Sequence, residues 1–344
     1  MPFNTPPHLS RTLFVVRGKL GDTLAAWPSI RSYIDRHPQE EIWLAERRNY
    51  AFLLADEPGV RLLPFASSAA LYFGVLRLRL SGGIARLAVA WGFGKAIARL
   101  ARLSGARRRC YLDTRFPGLF TDIAPEQPND YITDASWRVA CLLDPELPRP
   151  QALYLGSLAR RRQAAAPQAV CLVPVADEAR RLLGHAALCD LAEAARQRFP
   201  DAPLWLLGNP QDVALQPLLA AGLPADVELK PFPQLEDLVD TLQHCHHLLT
   251  TDTGVYHLAA AMGVPATVFF GPTVPHKIVL PNQTAVDTVR FFSASQLHCE
   301  VKDCTRPRCL HLAVEQWTRS GRTIPLDNLP PGCLLNEGQT PCAS

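Results

Sequence analysis

Short apolar runs, each closed by a loop and followed by a stretch of helical period, recur along this chain. "TLFVVR" (12–17) is the first, and a helix is predicted from about Asp22 to His37. "EIWLAE" (41–46) and "VRLLPF" (60–65) read as a second and a third strand. The pattern restarts at "AVCLVPV" (169–175), followed by a helix over 185–198 and the strand "PLWLLG" (203–208). "HHLLTTD" (246–252) reads as a strand end, "GVYHLAAAMG" (254–263) as a helix stopped by Gly263, and "ATVFFG" (266–271) as another strand. Alternation of this kind predicts an α/β protein with mostly parallel sheets.

Between the two runs of alternation lies 144–168, rich in Pro, Ala and Arg, the best linker candidate. A boundary near residue 160 gives two domains, 1–160 and 161–344, and 344 residues suffice for two cores. At 48% hydrophobic and 19% charged the chain is globular in composition. The stretch beyond about 320, with Pro325, Pro330, Pro331 and Pro341, reads as loop. "MPFNTPPHLSRTLFVV" lacks the basic and apolar regions of a secretory signal, and no run of about 18 apolar residues predicts a transmembrane helix. Of ten cysteines, Cys110, Cys141, Cys171, Cys189 and Cys245 fall in apolar segments, as reduced core thiols of a cytoplasmic protein would.

Net charge is only +3, but its distribution is uneven. Between Glu57 and Asp113 there is no acidic residue, while Arg61, Arg77, Arg79, Arg86, Lys95, Arg99, Arg102, Arg107, Arg108 and Arg109 lie there. Such a surface suits an anionic lipid, a phosphorylated ligand or nucleic acid. On a helical wheel of 93–104, Phe93, Ala96, Ile97, Leu100 and Leu103 share one side, and Lys95, Arg99 and Arg102 the other. This is the pattern of a surface helix facing a core, and also of a helix lying at a membrane interface. Gly92 and Gly94 mimic the start of a dinucleotide fingerprint, but Ile97 stands where close helix–strand packing needs Gly or Ala, so a nicotinamide site is rejected.

Two places carry candidate chemistry. At "TTDTGVYHLAAAMG" a strand gives way at once to a helix, whose first-turn N–H groups and dipole make a ready phosphate site. Gly254 admits a close ligand and His257 offers a donor; the plainer alternative is Asp252 as N-cap and His257 as packing. At "VVRGKLGDTLAAWPSI" (15–30), Asp22 at a helix start is either a cap or a base.

These segments also resemble a known family. "TDTGVYHLAAAMGVPATVFFGPT" is similar to the D-T-G-x-x-H-[LI]-A-[AG]-A-L-G-x-P segment of the ADP-heptose:lipopolysaccharide heptosyltransferases, glycosyltransferase family 9. Arg17, Leu20, Gly21, Asp22, Pro28 and Ile30 match its N-terminal pattern, and "ARLSGARRRCYLD" (101–113) a third stretch, in order over about 12–275. The resemblance implies a GT-B fold, with two Rossmann-like domains facing one another across a cleft, the nucleotide sugar on the C-terminal domain and the acceptor on the N-terminal one. It implies an inverting, metal-independent transfer of heptose or a related sugar, with ADP-heptose the expected donor and a lipopolysaccharide core hydroxyl the expected acceptor. Asp22 falls on the general base, Asp252, Thr253, Gly254 and His257 on the donor loop, and Arg181 where relatives carry a lysine. Lys19 and Gly21 become acceptor contacts. An anionic lipid-linked acceptor at the cytoplasmic face of the inner membrane, and not nucleic acid, is then the expected partner of the basic region.

The chain departs from the family pattern in places. No Gly follows Pro174, Asp177 and Glu178 stand near the donor turn, Asn209-Pro210 replaces an acidic position, and 71–83 lacks the D-x-Q-G-type motif. A non-catalytic relative, a hexosamine donor and a protein acceptor are the alternatives these departures leave open. Many relatives also carry a C-x2-C-x4-C-x6-C cluster. Here Gln296 replaces its first cysteine and His311 its last, which implies a structural zinc or iron held by Cys299, Cys304, Cys309 and His311, and no cofactor for catalysis.

Overall fold

The computed structural model describes residues 10–112, 115–116, 118–125, 127, 132–176, 181–271, 273–280, 289–293 and 308–320. The chain divides into two compact units, Met1–Ser157 and Leu158–Ser344.

The first unit opens with β1 (Arg11–Val16), α1 (Leu20–Arg36), β2 (Glu41–Arg47), the short α2 (Arg48–Ala51), β3 (Arg61–Phe65) and α3 (Ser68–Leu80). It continues with β4 (Arg86–Trp91), α4 (Lys95–Ser104), β5 (Arg108–Tyr111), β6 (Asp122–Ile123) and α5 (Ile132–Cys141). The helix α6 (Gly156–Ala164) crosses the boundary. The segment 144–168, expected as linker, is thus partly helical, its Ala and Arg outweighing the flanking prolines.

The second unit follows with β7 (Ala169–Val173), α7 (His185–Arg198), β8 (Leu204–Gly208), α8 (Gln216–Ala220), β9 (Val227–Pro231) and α9 (Leu235–Gln243). Then come β10 (Cys245–Thr251), α10 (Gly254–Met262), β11 (Ala266–Phe270), β12 (Val289–Ser293) and α11 (Arg308–Ser320).

Every described strand pair is parallel. The first sheet has the order β3-β2-β1-β4-β5-β6 and the second β12-β11-β10-β7-β8-β9. Counted within its own unit, the second order is the first read from the other edge. Both are the doubly wound 3-2-1-4-5-6 arrangement. Central strands of such sheets are covered on both faces, which is why "AVCLV" of β7 and "ATVFF" of β11 are apolar without alternation and wholly buried. Trp27, Ile30 and Tyr33 of α1 pack the first core; Leu188, Leu191 and Trp317 pack the second.

Part of the basic interval serves the fold itself. Arg86 pairs with Glu40 (2.5 Å), Arg61 with Glu41 (3.1 Å) and Arg108 with Asp122 (3.3 Å). Arg79 and Arg109 donate to backbone carbonyls. Arg77, Lys95, Arg99, Arg102 and Arg107 stay exposed. Helix α4 buries Ile97, Leu100 and Ala101 and so behaves as a surface helix facing a core. Part of the exposed surface of α3 is apolar: Ala69, Phe73, Leu76 and Leu80 form one stripe at helical spacing, beside the exposed Arg77 and Arg79, with Phe73 65% and Leu80 78% exposed.

Candidate functional site

In the first unit β1 ends at Val16 and α1 starts at Leu20, so Arg17, Gly18 and Lys19 make the turn between them. Arg17 N–H donates to Trp91 O (2.8 Å), which ties this turn to the end of β4. β1 and β4 are the neighbours between which the strand order reverses, the place where doubly wound sheets gather ligands.

Asp22 stands at this switch point. The helix begins two residues before the predicted start, so Lys19 occupies the N-cap position and Asp22 the third helical residue. From there Asp22 Oδ2 accepts the Lys19 backbone N–H (2.7 Å). Asp22 therefore closes the helix end from inside the first turn, with one of its two oxygens. Burial pushes its pKa above the ordinary carboxylate value; the Lys19 N–H and charge, the Trp91 side chain and Arg47 pull it back. Lys19 is exposed and Gly21 half-buried in the same turn, so Lys19, Gly21 and Asp22 come together through one stretch of chain.

Two residues of this site are not singled out by the motifs. A Cβ on Gly18 would lie 2.4 Å from both Cβ and Oδ2 of Asp22, so only glycine there leaves room for the carboxylate. Glu46, near the end of β2, is completely buried. Its Oε1 accepts the Arg47 N–H (2.6 Å), while Oε2 meets no hydrogen-bond partner among the described residues. Burial pushes its pKa up to about 8, against the pull of the Arg47 N–H, the Thr23 hydroxyl and the Arg47 charge, and the Asp22 charge adds to the rise. The sequence signal for it was an acid closing the apolar run "EIWLAE".

In the second unit β7 and β10 are the switch-point neighbours. Asp252 and Thr253 join β10 to α10. Thr253, not Asp252, is the N-cap: its backbone is extended and its Oγ1 accepts the Val255 N–H (3.2 Å). Asp252, 3% exposed, turns instead to Arg181, which follows β7: Arg181 Nη1 lies 3.3 Å from Asp252 Oδ2 and donates to Asp252 O (3.3 Å). Arg181, Asp252, Thr253 and Gly254 are thus brought together.

His257, on the next turn of α10, is 4% exposed, and its Nδ1 has no hydrogen-bond partner among the described residues. Its ring lies beside Tyr256, with centroids 5.0 Å apart. Burial, and then the Arg181 charge, hold its pKa down to about 4, so it is a neutral imidazole at pH 7. A helix N-terminus with an arginine beside it is an arrangement that suits an anion.

Asp177, Glu178, Cys299 and Cys304 lie outside the described residues. Cys309 and His311 stand two apart on α11, where side chains leave a helix on different faces, and the His311 ring lies against Gly184. No group of three or more metal-ligating side chains occurs among the described residues.

Comparison with known proteins bears on the fold. Residues 143–309, just under half of the chain, match the family model "Glycosyltransferase family 9 (heptosyltransferase)". No curated protein sequence matches the chain. Among solved structures, Escherichia coli heptosyltransferase WaaC with ADP-2-deoxy-2-fluoro heptose is similar at TM-score 0.67 and 17% identity, over 91% of this chain and 100% of that one. A glycosyl transferase family 9 protein from Veillonella parvula gives 0.67 at 15% identity, over 83% and 86%. E. coli ADP-heptose lps heptosyltransferase II gives 0.64 at 17%, over 89% and 99%. At these identities the likeness establishes the fold: two doubly wound α/β units of the GT-B-like kind.

Proposed function

We propose, from the premise that this chain is a glycosyltransferase of family 9, that it moves heptose from ADP-heptose to a hydroxyl of a lipopolysaccharide core, with inversion and with Asp22 as general base. In this reading the acceptor oxygen attacks the anomeric carbon as the bond from that carbon to the diphosphate oxygen breaks. The electron pair leaves with ADP, and the acceptor proton passes to the Asp22 carboxylate. The α10 N-terminus and Arg181 meet the charge that develops on the leaving diphosphate. His257, neutral and buried, is suited to position the donor loop or to share a single hydrogen bond.

What carries the reading is that the predicted base and the predicted donor residues each stand at the switch point of their own sheet. The solved relatives bound to ADP or to an ADP-heptose analogue support the choice of donor. Lys19 and Gly21, in the turn that holds Asp22, are the proposed acceptor contacts. Asp22→Asn should cut transfer to a lipid-core extract by about a hundredfold or more while ADP binding stays within a factor of two or so. Turnover at the wild-type rate would overturn the base assignment, and no binding to any nucleotide sugar would favour a non-catalytic relative.

The acceptor is proposed to be an anionic lipid-linked saccharide, reached by peripheral binding at the cytoplasmic face of the inner membrane. Among the described residues no helix is long and apolar enough to cross a membrane. The exposed stripe of Phe73, Leu76 and Leu80 on α3, with Arg77, Lys95, Arg99 and Arg102 exposed on the packed pair α3 and α4, supports contact with an anionic bilayer. Phe73→Ser/Leu80→Ser should weaken sedimentation with anionic vesicles without altering the unfolding midpoint. A structural zinc or iron at Cys299, Cys304, Cys309 and His311 stands as a separate proposal, outside the transfer step; less than a tenth of an equivalent of metal in the purified protein would remove it.

A further inference from the structure

Two carboxyl groups flank the start of α1, Asp22 at the switch point and Glu46 near the end of the neighbouring strand β2, and the proposed reaction uses only Asp22. They are unequally housed. Asp22 is half-buried, accepts the Lys19 N–H at 2.7 Å, and feels the cations Lys19 and Arg47. Glu46 is 0% exposed, accepts one backbone N–H, and leaves Oε2 without a hydrogen-bond partner among the described residues. The neighbouring Thr23 hydroxyl donates to Lys19 O (3.2 Å) and also lies near enough to Glu46 to favour its anion. No ion pair to Glu46 occurs among the described residues, since the Arg47 side chain is exposed and acts only through space. A buried carboxylate in that setting has no ion-pair partner among the described residues, and the Arg47 N–H, the Thr23 hydroxyl and the Arg47 charge offset its burial only in part.

We infer that Glu46 is a positioning residue for the proposed base: an uncharged second carboxyl, packed under Thr23 and the start of α1, that leaves Asp22 as the sole anion of the pair. The inference rests on the reading of Asp22 as base. Two like charges that feel one another, one of them wholly buried, cannot both be housed cheaply, so the environments divide the roles: Asp22 gives up its proton and Glu46 keeps one. The groups facing Glu46 are Asp22 and Thr23 of α1 and Arg47 of its own strand. Its ionisation, at a pH near 8, would set an anion against Asp22 and drive water or a cation into the packed end of β2. That disturbs the turn on which Asp22 is held.

The test is the pH profile of kcat, with donor KM alongside, for the full-length wild type, Glu46→Gln and Asp22→Asn. The wild type is expected to lose activity on an alkaline limb of apparent pKa near 8. Glu46→Gln, isosteric with the protonated acid, is expected to remain within about threefold of wild type at pH 7, with unchanged donor KM, and to lack that limb up to pH 9.5 or so. A group that merely fills space would leave the limb in place. An active Asp22→Asn would refute the base reading, and this inference with it. An inactive Asp22→Asn beside a Glu46→Gln that keeps the wild-type limb would refute the inference alone. A loss above about thirtyfold at pH 7 in folded Glu46→Gln would refute it too, because the carboxyl would then act chemically. Should Glu46→Gln not fold, the wild-type profile still decides: a flat kcat between pH 7 and 9.5 overturns the proposal.

Discussion

Glu46→Gln should change the pH dependence of stability in a calculable way. Burial raises the Glu46 pKa from 4.5 to about 8. Between those values the folded chain holds a proton that the unfolded chain has released, so folding takes up a proton and stability falls as pH rises. The stability this group allows is fully present below pH 4.5 and declines until its folded carboxyl ionises near pH 8. At 1.36 kcal/mol per unit, the wild type is penalised by about 1 kcal/mol at pH 5 and about 3 at pH 7. Glutamine does not titrate and escapes the penalty, apart from a constant offset for its own hydrogen bonds.

The gap between variant and wild type should therefore widen in favour of glutamine by about 2 kcal/mol from pH 5 to 7, and by about 1 more by pH 8.5. Urea unfolding followed by tryptophan fluorescence suits the question, because Trp27, Trp43, Trp91 and Trp137 all report on the first unit. A gap that stays constant with pH would mean that Glu46 is ionised in the folded protein, and the inferred division of roles would fail with it.

Gly18→Ala should displace the Asp22 carboxylate and lower kcat/KM by about tenfold to a hundredfold, with overpacking of about 1–3 kcal/mol visible in the same urea curves. A fully active alanine variant would show that the position of Asp22 is not critical. Arg181→Ala should weaken ADP binding by about ten- to a hundredfold in calorimetry, with part recovered by Arg181→Lys; equal affinity in all three would remove Arg181 from the donor site. Thr253→Ala should lower the stability of the second unit by about 1 kcal/mol through loss of the cap to Val255, checked by urea unfolding read from Trp205 and Trp317.

The central strands were legible because they are buried on both faces, so their apolar runs end where the loops begin. Helix 185–198 matches α7 residue for residue, and Gly263 does stop α10, with φ 73°. Of the edge strands, β3 was legible in "VRLLPF", but β6 was not. β6 has two residues, and its place in the sheet rests on pairing with β5 rather than on any pattern of its own. Helix α11 hid behind its own chemistry: Leu310, Ala313, Val314 and Trp317 are all buried, yet Cys309 and His311 draw a metal reading at the same residues. The basic interval looked uniform because sequence does not show that Arg61, Arg86 and Arg108 find acids from outside it. Glu46 escaped for a related reason: an acid at a strand end usually meets solvent, and only the folding of the first unit buries it.

The two switch points share strand order and differ in how their helices begin, and this bears on which ligand each can take. Both α1 and α10 present an N-terminus with partial positive charge. In α1 the chain places its own carboxylate there, since Asp22 accepts the Lys19 N–H, and an incoming phosphate would meet a like charge. In α10 the cap is the neutral hydroxyl of Thr253, and Asp252, the nearby carboxylate, is turned to Arg181 and close to neutralised by it. On the proposed reading, the second helix end is the one suited to an external anion, and the first to a group with a proton to give up. A hydroxyl acceptor at the first and a diphosphate donor at the second is the allocation these charges favour. Exchanging the two ligands would set a phosphate against Asp22 and leave the acceptor hydroxyl facing a carboxylate already engaged by Arg181.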